Sequence, residues 1–454
     1  MPIDASRPDR IQGKETTVID PMSPAGEAAD FETPMGTAQT TGRYIVVFAE
    51  DGVDAPQILE SVAGLSNVAS SADFESQAVD MEQVGEADAT VFTELGMAVV
   101  SADPEQLGAL QTSTEAQGAV VAVAPELIHH VMEDSGYVQG YRDGVADLSG
   151  RLGARDSAAP GAAAPTPTPS GFSDTDQLTW GLQATQVATS PHTGTGVKIA
   201  VLDTGFDSTH PDFVGRAVTT QSFIPGESPD DGHGHGTHCI GTACGPKSPD
   251  GSRRYGVAYE AEIFAGKVLS NQGSGSDAGI LAGINWAVSN DCTVISMSLG
   301  ADVPRPHPPY NHAGRRALRR GTLIIAAAGN NANRPGDPGF VGAPANSPDI
   351  MAVAALDSQL AIARFSARSL PGRGGQVDIA GPGVAVHSAW PMPTRYRTIS
   401  GTSMATPHVA GIATLWAQAT GRRGLRLWAT LSKESERLAL PSLDVGSGLA
   451  LAGQ

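Results

Sequence analysis

Five apolar runs of strand length constrain the fold of this chain more than any other feature: residues 197–202 (VKIAVL), 263–269 (IFAGKVL), 293–299 (TVISMSL), 323–328 (LIIAAA) and 350–355 (IMAVAA). Helical patterns such as 277–288 and 403–418 are interleaved with them. Strands that are apolar along their length are buried on both faces, the condition inside a parallel sheet covered by helices. The pattern therefore predicts an α/β domain with a mostly parallel sheet over residues 176–454. In such a sheet, binding sites form at the carboxyl ends of the strands.

The first 175 residues are physically different. They carry 28 acidic and 7 basic side chains, with no Lys or Arg between Tyr44 and Tyr141, whereas the remainder has 20 acidic and 22 basic. Residues 1–42 are polar, rich in Pro, Gly and Thr and without periodicity, the composition of a disordered segment. A β-branched run at 44–48, helical spacing at 55–65, a hairpin pattern over 89–101, helical spacing at 104–110 and a strand pattern at 120–123 follow. Together they predict a small α+β domain over 43–132. Residues 133–175 read as a linker, acidic and then Ala/Pro/Thr-rich, extended and open to proteolysis.

The acidic half repels phosphates and anionic lipid, so neither nucleic acid nor a membrane is an expected partner. No stretch approaches the ~20 apolar residues of a membrane span. The polar start lacks an export-signal pattern, which makes a cytoplasmic location the default expectation; a secreted chain would need a start further upstream. Cys239, Cys244 and Cys292 are too few for a disulfide framework and lack metal-ligand spacing, so all three are expected as buried thiols.

Reactive side chains stand where strands end and helices begin. The run VKIAVL leads into Asp203-Thr204-Gly205, a turn or cap when taken alone. Gly232-His233-Gly234-His235-Gly236-Thr237-His238 is, by itself, equally a metal tract or a flexible loop. Ser403, in Gly401-Thr402-Ser403-Met404-Ala405, has the place of a helix N-cap. On one parallel sheet the three converge. Serine is a weak nucleophile until an imidazole takes its proton, and the imidazole needs a carboxylate to fix its tautomer. The run LIIAAA ends in Gly329-Asn330, whose amide, with the Ser403 N–H, can donate to a developing oxyanion.

The order Asp203, His235, Ser403 and the motifs Asp203-Thr204-Gly205, His235-Gly236-Thr237-His238, Ala328-Gly329-Asn330 and Gly401-Thr402-Ser403-Met404-Ala405-Thr406-Pro407-His408 resemble the four signatures of the subtilase family. The sequence GTSMA lacks the second glycine of a G-x-S-x-G elbow, against an α/β-hydrolase esterase. The resemblance covers residue 180 to about 451. It implies the subtilisin-like three-layer fold and a serine endopeptidase with Asp203, His235 and Ser403 as triad and Asn330 in the oxyanion hole. His233, His238 and His408 are then not bases, and Cys239 is a free thiol under the site.

Further expectations rest on the same resemblance. A polypeptide substrate pairs with two exposed edges, Gly273-Ser274-Gly275 and Ser298-Leu299-Gly300. Ala328 and Gly329 form a wall of the specificity pocket, with Gly342 at its base leaving room for a large apolar side chain. No cofactor is required for the chemistry. Asp378 with the carbonyls of Pro348 and Ile350 resembles a weak cation site suited to structural Ca²⁺. The acidic 43–132 domain resembles an inhibitor-like propeptide, an intramolecular partner of a monomeric, self-processing zymogen cut after Met132. A catalytically silent peptide-binding scaffold is the alternative from another class, and a permanent regulatory module is the alternative for the acidic domain.

Overall fold

The computed structural model describes residues 38–49, 53–115, 118–131, 171–371 and 375–454. The N-terminal part runs β1 (Thr40–Phe48), α1 (Ala55–Ala63), β2 (Val68–Ser70), α2 (Met81–Glu86), β3 (Ala89–Phe92), β4 (Met97–Val100), α3 (Pro104–Glu115) and β5 (Val120–Val131). β1 pairs antiparallel with β4 and β5, and β3 pairs antiparallel with β4. Ile45, Val47, Met97 and Val99 face one apolar cluster while Val46, Phe48, Ala98 and Val100 face another, the period of two expected of strands buried on both sides.

Three boundaries differ from expectation. β1 starts at Thr40, inside the segment expected to be disordered, because the Thr41 hydroxyl and the Arg43 guanidinium both hold Glu126 on β5. The expected strand at 120–123 extends to Val131, paired beyond its own domain as described below. Met132 and residues 133–170 lie outside the described residues. Residues 171–175, expected as linker, belong with the body that follows: Phe172 N–H donates to Ser358 O (2.8 Å) and Asp174 accepts from Trp180 N–H (2.8 Å).

The larger body contains α4 (Trp180–Ala184), β6 (Lys198–Asp203), β7 (Val218–Ser222), α5 (His235–Cys244), β8 (Glu262–Lys267), β9 (Ser274–Ser276), α6 (Asp277–Ser289) and β10 (Val294–Met297). It continues with β11 (Leu299–Gly300), α7 (Pro308–Arg320), β12 (Leu323–Ala327), β13 (Met351–Leu356), β14 (Ile379–Pro382), β15 (Val386–Ala389), β16 (Tyr396–Ile399), α8 (Thr402–Thr420), α9 (Gly424–Glu434) and α10 (Ser442–Val445). Seven parallel strands are ordered β14-β13-β12-β10-β6-β8-β7. Ala200, Leu202, Ile295 and Met297 pack with α6 and α7 on one face; Ile199, Val201, Val294 and Ile325 pack with α5 and α8 on the other. That two-sided burial is why the five runs carry no polar stripe. The three cysteines are buried and free. Among the described residues, no helix is long and apolar enough to cross a membrane.

Candidate active site

Asp203 ends β6, His235 opens α5, Ser403 is the second residue of α8, and Asn330 follows β12. Strand ends supply Asp203 and Asn330, and helix starts supply His235 and Ser403, the four residues singled out by sequence. The Asp203-Thr204-Gly205 turn needs its glycine: Gly205 sits at φ 114°, and a Cβ there would lie 2.5 Å from Pro229 O.

His235 Nδ1 lies 2.7 Å from Asp203 Oδ1, with both side chains buried. Asp203 Oδ1 also accepts from Thr204 N–H (2.8 Å). Burial opposes a charge on the imidazole, but the adjacent Asp203 carboxylate outweighs it and holds His235 well above its ordinary value. Among the described residues His235 Nε2 has no hydrogen-bond partner, and the Ser403 hydroxyl donates to Ser298 O (3.2 Å). The serine–imidazole bond is therefore not formed in this state. Such bonds commonly tighten only with substrate in place.

Asn330 Oδ1 accepts from Thr402 N–H (3.0 Å) and Thr402 Oγ1 (2.8 Å), which directs the Nδ2 hydrogens away from Thr402. His238 bonds Val386 O and His408 bonds Met404 O; burial pushes them down to about 3 and about 4, so both are neutral packing groups. Cys239 Sγ lies 3.8 Å from His235 Nδ1, and burial pushes its thiol up to about 11. Among the described residues, Asp203, His235 and Cys239 are the one trio of His, Cys or acidic side chains close enough to share a metal ion, and the histidine and carboxylate in it are already bonded to each other. A hydroxyl, an imidazole and an orienting carboxylate in this order can carry out nucleophilic attack on a carbonyl.

The family model described as "Subtilase family" matches residues 194–435. M-protease of Shouchella clausii (strain KSM-K16) is 43% identical over 243 residues, 53% of this chain and 59% of that protein. Subtilisin Savinase of Lederbergia lenta is 43% identical over 243 residues, covering 84% of its length, and Subtilisin E of Bacillus subtilis (strain 168) is 39% identical over 258 residues, covering 64%. The chain belongs to the subtilase family. The match takes in less than two thirds of M-protease and of Subtilisin E.

In this subtilase the expected peptide edges are already occupied. β5 pairs antiparallel with β9 (Ile128↔Ser276, His129↔Gly275, His130↔Ser274) and with β11 (Leu299↔Val131, Gly300↔His130). Val131 N–H also donates to Gly273 O (2.9 Å). The last described residue of β5 thus lies opposite Leu299, next to the Ser298 carbonyl that holds the Ser403 hydroxyl. Gly342 N–H donates to Ala328 O (3.1 Å), placing it beside the Ala328-Gly329 wall. The room expected at Gly342 is closed in one direction, since a Cβ there would meet Ala301 O at 2.5 Å.

Sequence reasoning missed three supports. Asp231 is buried and accepts from Thr204 Oγ1, Gly234 N–H and both the N–H and hydroxyl of Thr237, joining the Asp203 turn to the start of α5. Its signal was an Asp just ahead of the glycine–histidine tract, a residue type whose carboxylate gathers the N–H groups of a turn. Ser298 Oγ donates to Ser403 O (2.8 Å). Glu126 Oε1 accepts from Ala278 N–H (2.9 Å) at the start of α6, where a helix favours an anion. No local pattern announces the last two.

Proposed function

We propose that the chain is a serine endopeptidase made as a zymogen, its N-terminal domain lying in its own cleft as an intramolecular inhibitor. The observation that carries this reading is β5, which adds antiparallel to β9 and β11 and ends opposite Leu299, next to the Ser298 carbonyl that holds the Ser403 hydroxyl, as a polypeptide substrate would. Polypeptides are the substrates. Ser403 Oγ attacks the scissile carbonyl carbon while His235 Nε2 takes its proton. Asp203 holds the ring by Nδ1 and stabilises the imidazolium. The Ser403 N–H and the Asn330 amide donate to the oxyanion. Collapse expels the amine, which takes the proton from His235. Water, deprotonated by the same imidazole, then releases the acyl group from Ser403.

Self-cleavage follows Met132, the residue after Val131, which itself lies outside the described residues. Asp378, with the carbonyls of Pro348 and Ile350, would hold a structural Ca²⁺. Asp378 suits that role: it is half-buried, one oxygen accepts from Ala352 N–H (2.8 Å), and desolvation pushes its carboxyl up to about 7, a deficit of positive charge that a hard cation would fill. The decisive experiment compares wild-type and Ser403→Ala chains on casein. Hydrolysis by the alanine variant at the wild-type rate would refute the assignment.

A further inference from the structure

The mechanism leaves unused a fully buried cluster on the far side of the peptide edge. Asp277, the first residue of α6, gathers four donors on its carboxylate. Oδ1 accepts from Tyr310 OH (2.7 Å) and from His129 Nε2 (2.7 Å); Oδ2 accepts from Leu127 N–H (2.7 Å) and His307 Nε2 (3.0 Å). Those bonds hold its carboxyl below the usual range even though burial pushes the other way. Two of the donors, Tyr310 and His307, come from the larger body; the other two, Leu127 and His129, come from β5.

Along β5 the side chains alternate, and His129 is buried while His130 is exposed. His129 is therefore the side chain that the tail sends into the body at its pairing with Gly275. Its ring also meets Tyr310 edge-on, with centroids 5.4 Å apart at 82°. Among the described residues the ring Nδ1 has no hydrogen-bond partner, so recognition runs through Nε2. Resting on the peptidase reading, we propose that Asp277, Tyr310 and His307 form an acidic subsite selecting histidine in polypeptide substrates at the place His129 occupies.

With β5 gone, each Asp277 oxygen keeps one donor and loses one. A substrate backbone restores the bond made by Leu127 N–H, but only a side chain carrying an N–H at the right reach restores the other. A leucine there buries a carboxylate oxygen short of a donor, which costs far more than a lost methylene contact. A histidine supplies the N–H and the flat ring that Tyr310 packs against.

Peptides copying residues 127–135, with His, Gln or Leu at the position of His129, test this with the enzyme obtained from the full chain. The His peptide is expected to exceed the Leu peptide by about 10- to 100-fold in kcat/KM, with Gln between them. In Asp277→Asn the ratio should fall below about threefold; Tyr310→Phe, a milder change that leaves the carboxylate, should reduce it in part. Casein hydrolysis together with equal kcat/KM for the His and Leu peptides overturns the subsite while leaving the peptidase reading intact. Preference that persists in Asp277→Asn overturns it too. Failure to cleave casein or any peptide overturns the peptidase reading and this one with it.

Discussion

Ser298 and Ser403 exchange hydrogen bonds: the Ser298 hydroxyl donates to the Ser403 carbonyl at 2.8 Å, and the Ser403 hydroxyl donates to the Ser298 carbonyl at 3.2 Å. The cause stands four residues further on. Pro407 lies inside α8 and has no N–H, so the Ser403 carbonyl lacks its partner in the helix. Ser298 Oγ takes the vacant place, with the Cys239 thiol at 3.7 Å. A proline thus ties the start of the nucleophile helix to one of the two peptide edges.

Ser298→Ala should for that reason destabilise the protein by about 1–3 kcal/mol, the cost of a buried carbonyl left with a weak thiol donor. Chemical denaturation measures it. A midpoint equal to wild type would show that the exchange carries no stability.

Much of this site was legible in sequence because its parts are local. Asp203, His235 and Asn330 each follow or precede a recognisable run within a few residues, and the glycines beside them mark tight turns. The apolar runs disclosed the parallel sheet because two-sided burial leaves a continuous pattern. What stayed hidden is long-range: Ser298 with Ser403, Glu126 with Ala278, and His129 with Asp277 are pairs more than a hundred residues apart. Their chemistry depends on which elements the fold brings together, and no spacing records that. The pattern alone stops the last strand at 123, and only the resemblance to an inhibitor-like propeptide carries it on toward Met132, since its partners lie in another domain.

The rate should rise with pH. Only neutral imidazole can take the Ser403 proton, and the Asp203 carboxylate raises His235 well above 6.5, so the base forms on the alkaline side of that value. Asp203→Asn removes the charge and should move the rising limb to lower pH while lowering the plateau by several orders of magnitude. A kcat/KM profile flat from about pH 5 to 9 would exclude a histidine base.

Asn330→Ala should reduce kcat by about 10²–10³ with little change in KM, because an oxyanion donor acts mainly in the transition state. Asn330 Oδ1 also holds Thr402, so the alanine variant loses a structural bond as well. Asn330→Asp keeps that acceptor and removes the donor. A kcat loss in the aspartate at least as large as in the alanine, since its charge also repels the oxyanion, together with a smaller loss of melting temperature, separates the two roles. A wild-type kcat in Asn330→Asp would end the oxyanion assignment.

Calcium should raise the melting temperature, since a ligand bound only by the folded state stabilises it by mass action. The increment should vanish in Asp378→Asn, whose side chain keeps its size and loses its charge. Scanning calorimetry in millimolar Ca²⁺ and in chelator reads the difference. Identical wild-type melting curves in the two conditions would remove the metal from this account.

Maturation provides the last test, because it depends on both the chemistry and the docking of β5. Wild-type protein should shed an acidic N-terminal fragment ending at Met132 on standing, and Ser403→Ala should remain full length; intact mass and N-terminal sequencing follow both. Glu126 has no side-chain exposure and caps α6 through Ala278 N–H while paired with Arg43 at 2.8 Å. Glu126→Gln keeps one acceptor but loses the charge that favours the helix terminus, so the freed domain should inhibit about tenfold less tightly. The loss should appear as faster release of activity after cleavage, with the bond cut unchanged. A wild-type chain fully active while still starting before residue 43 would rule out the zymogen and leave the N-terminal domain as a permanent regulatory module.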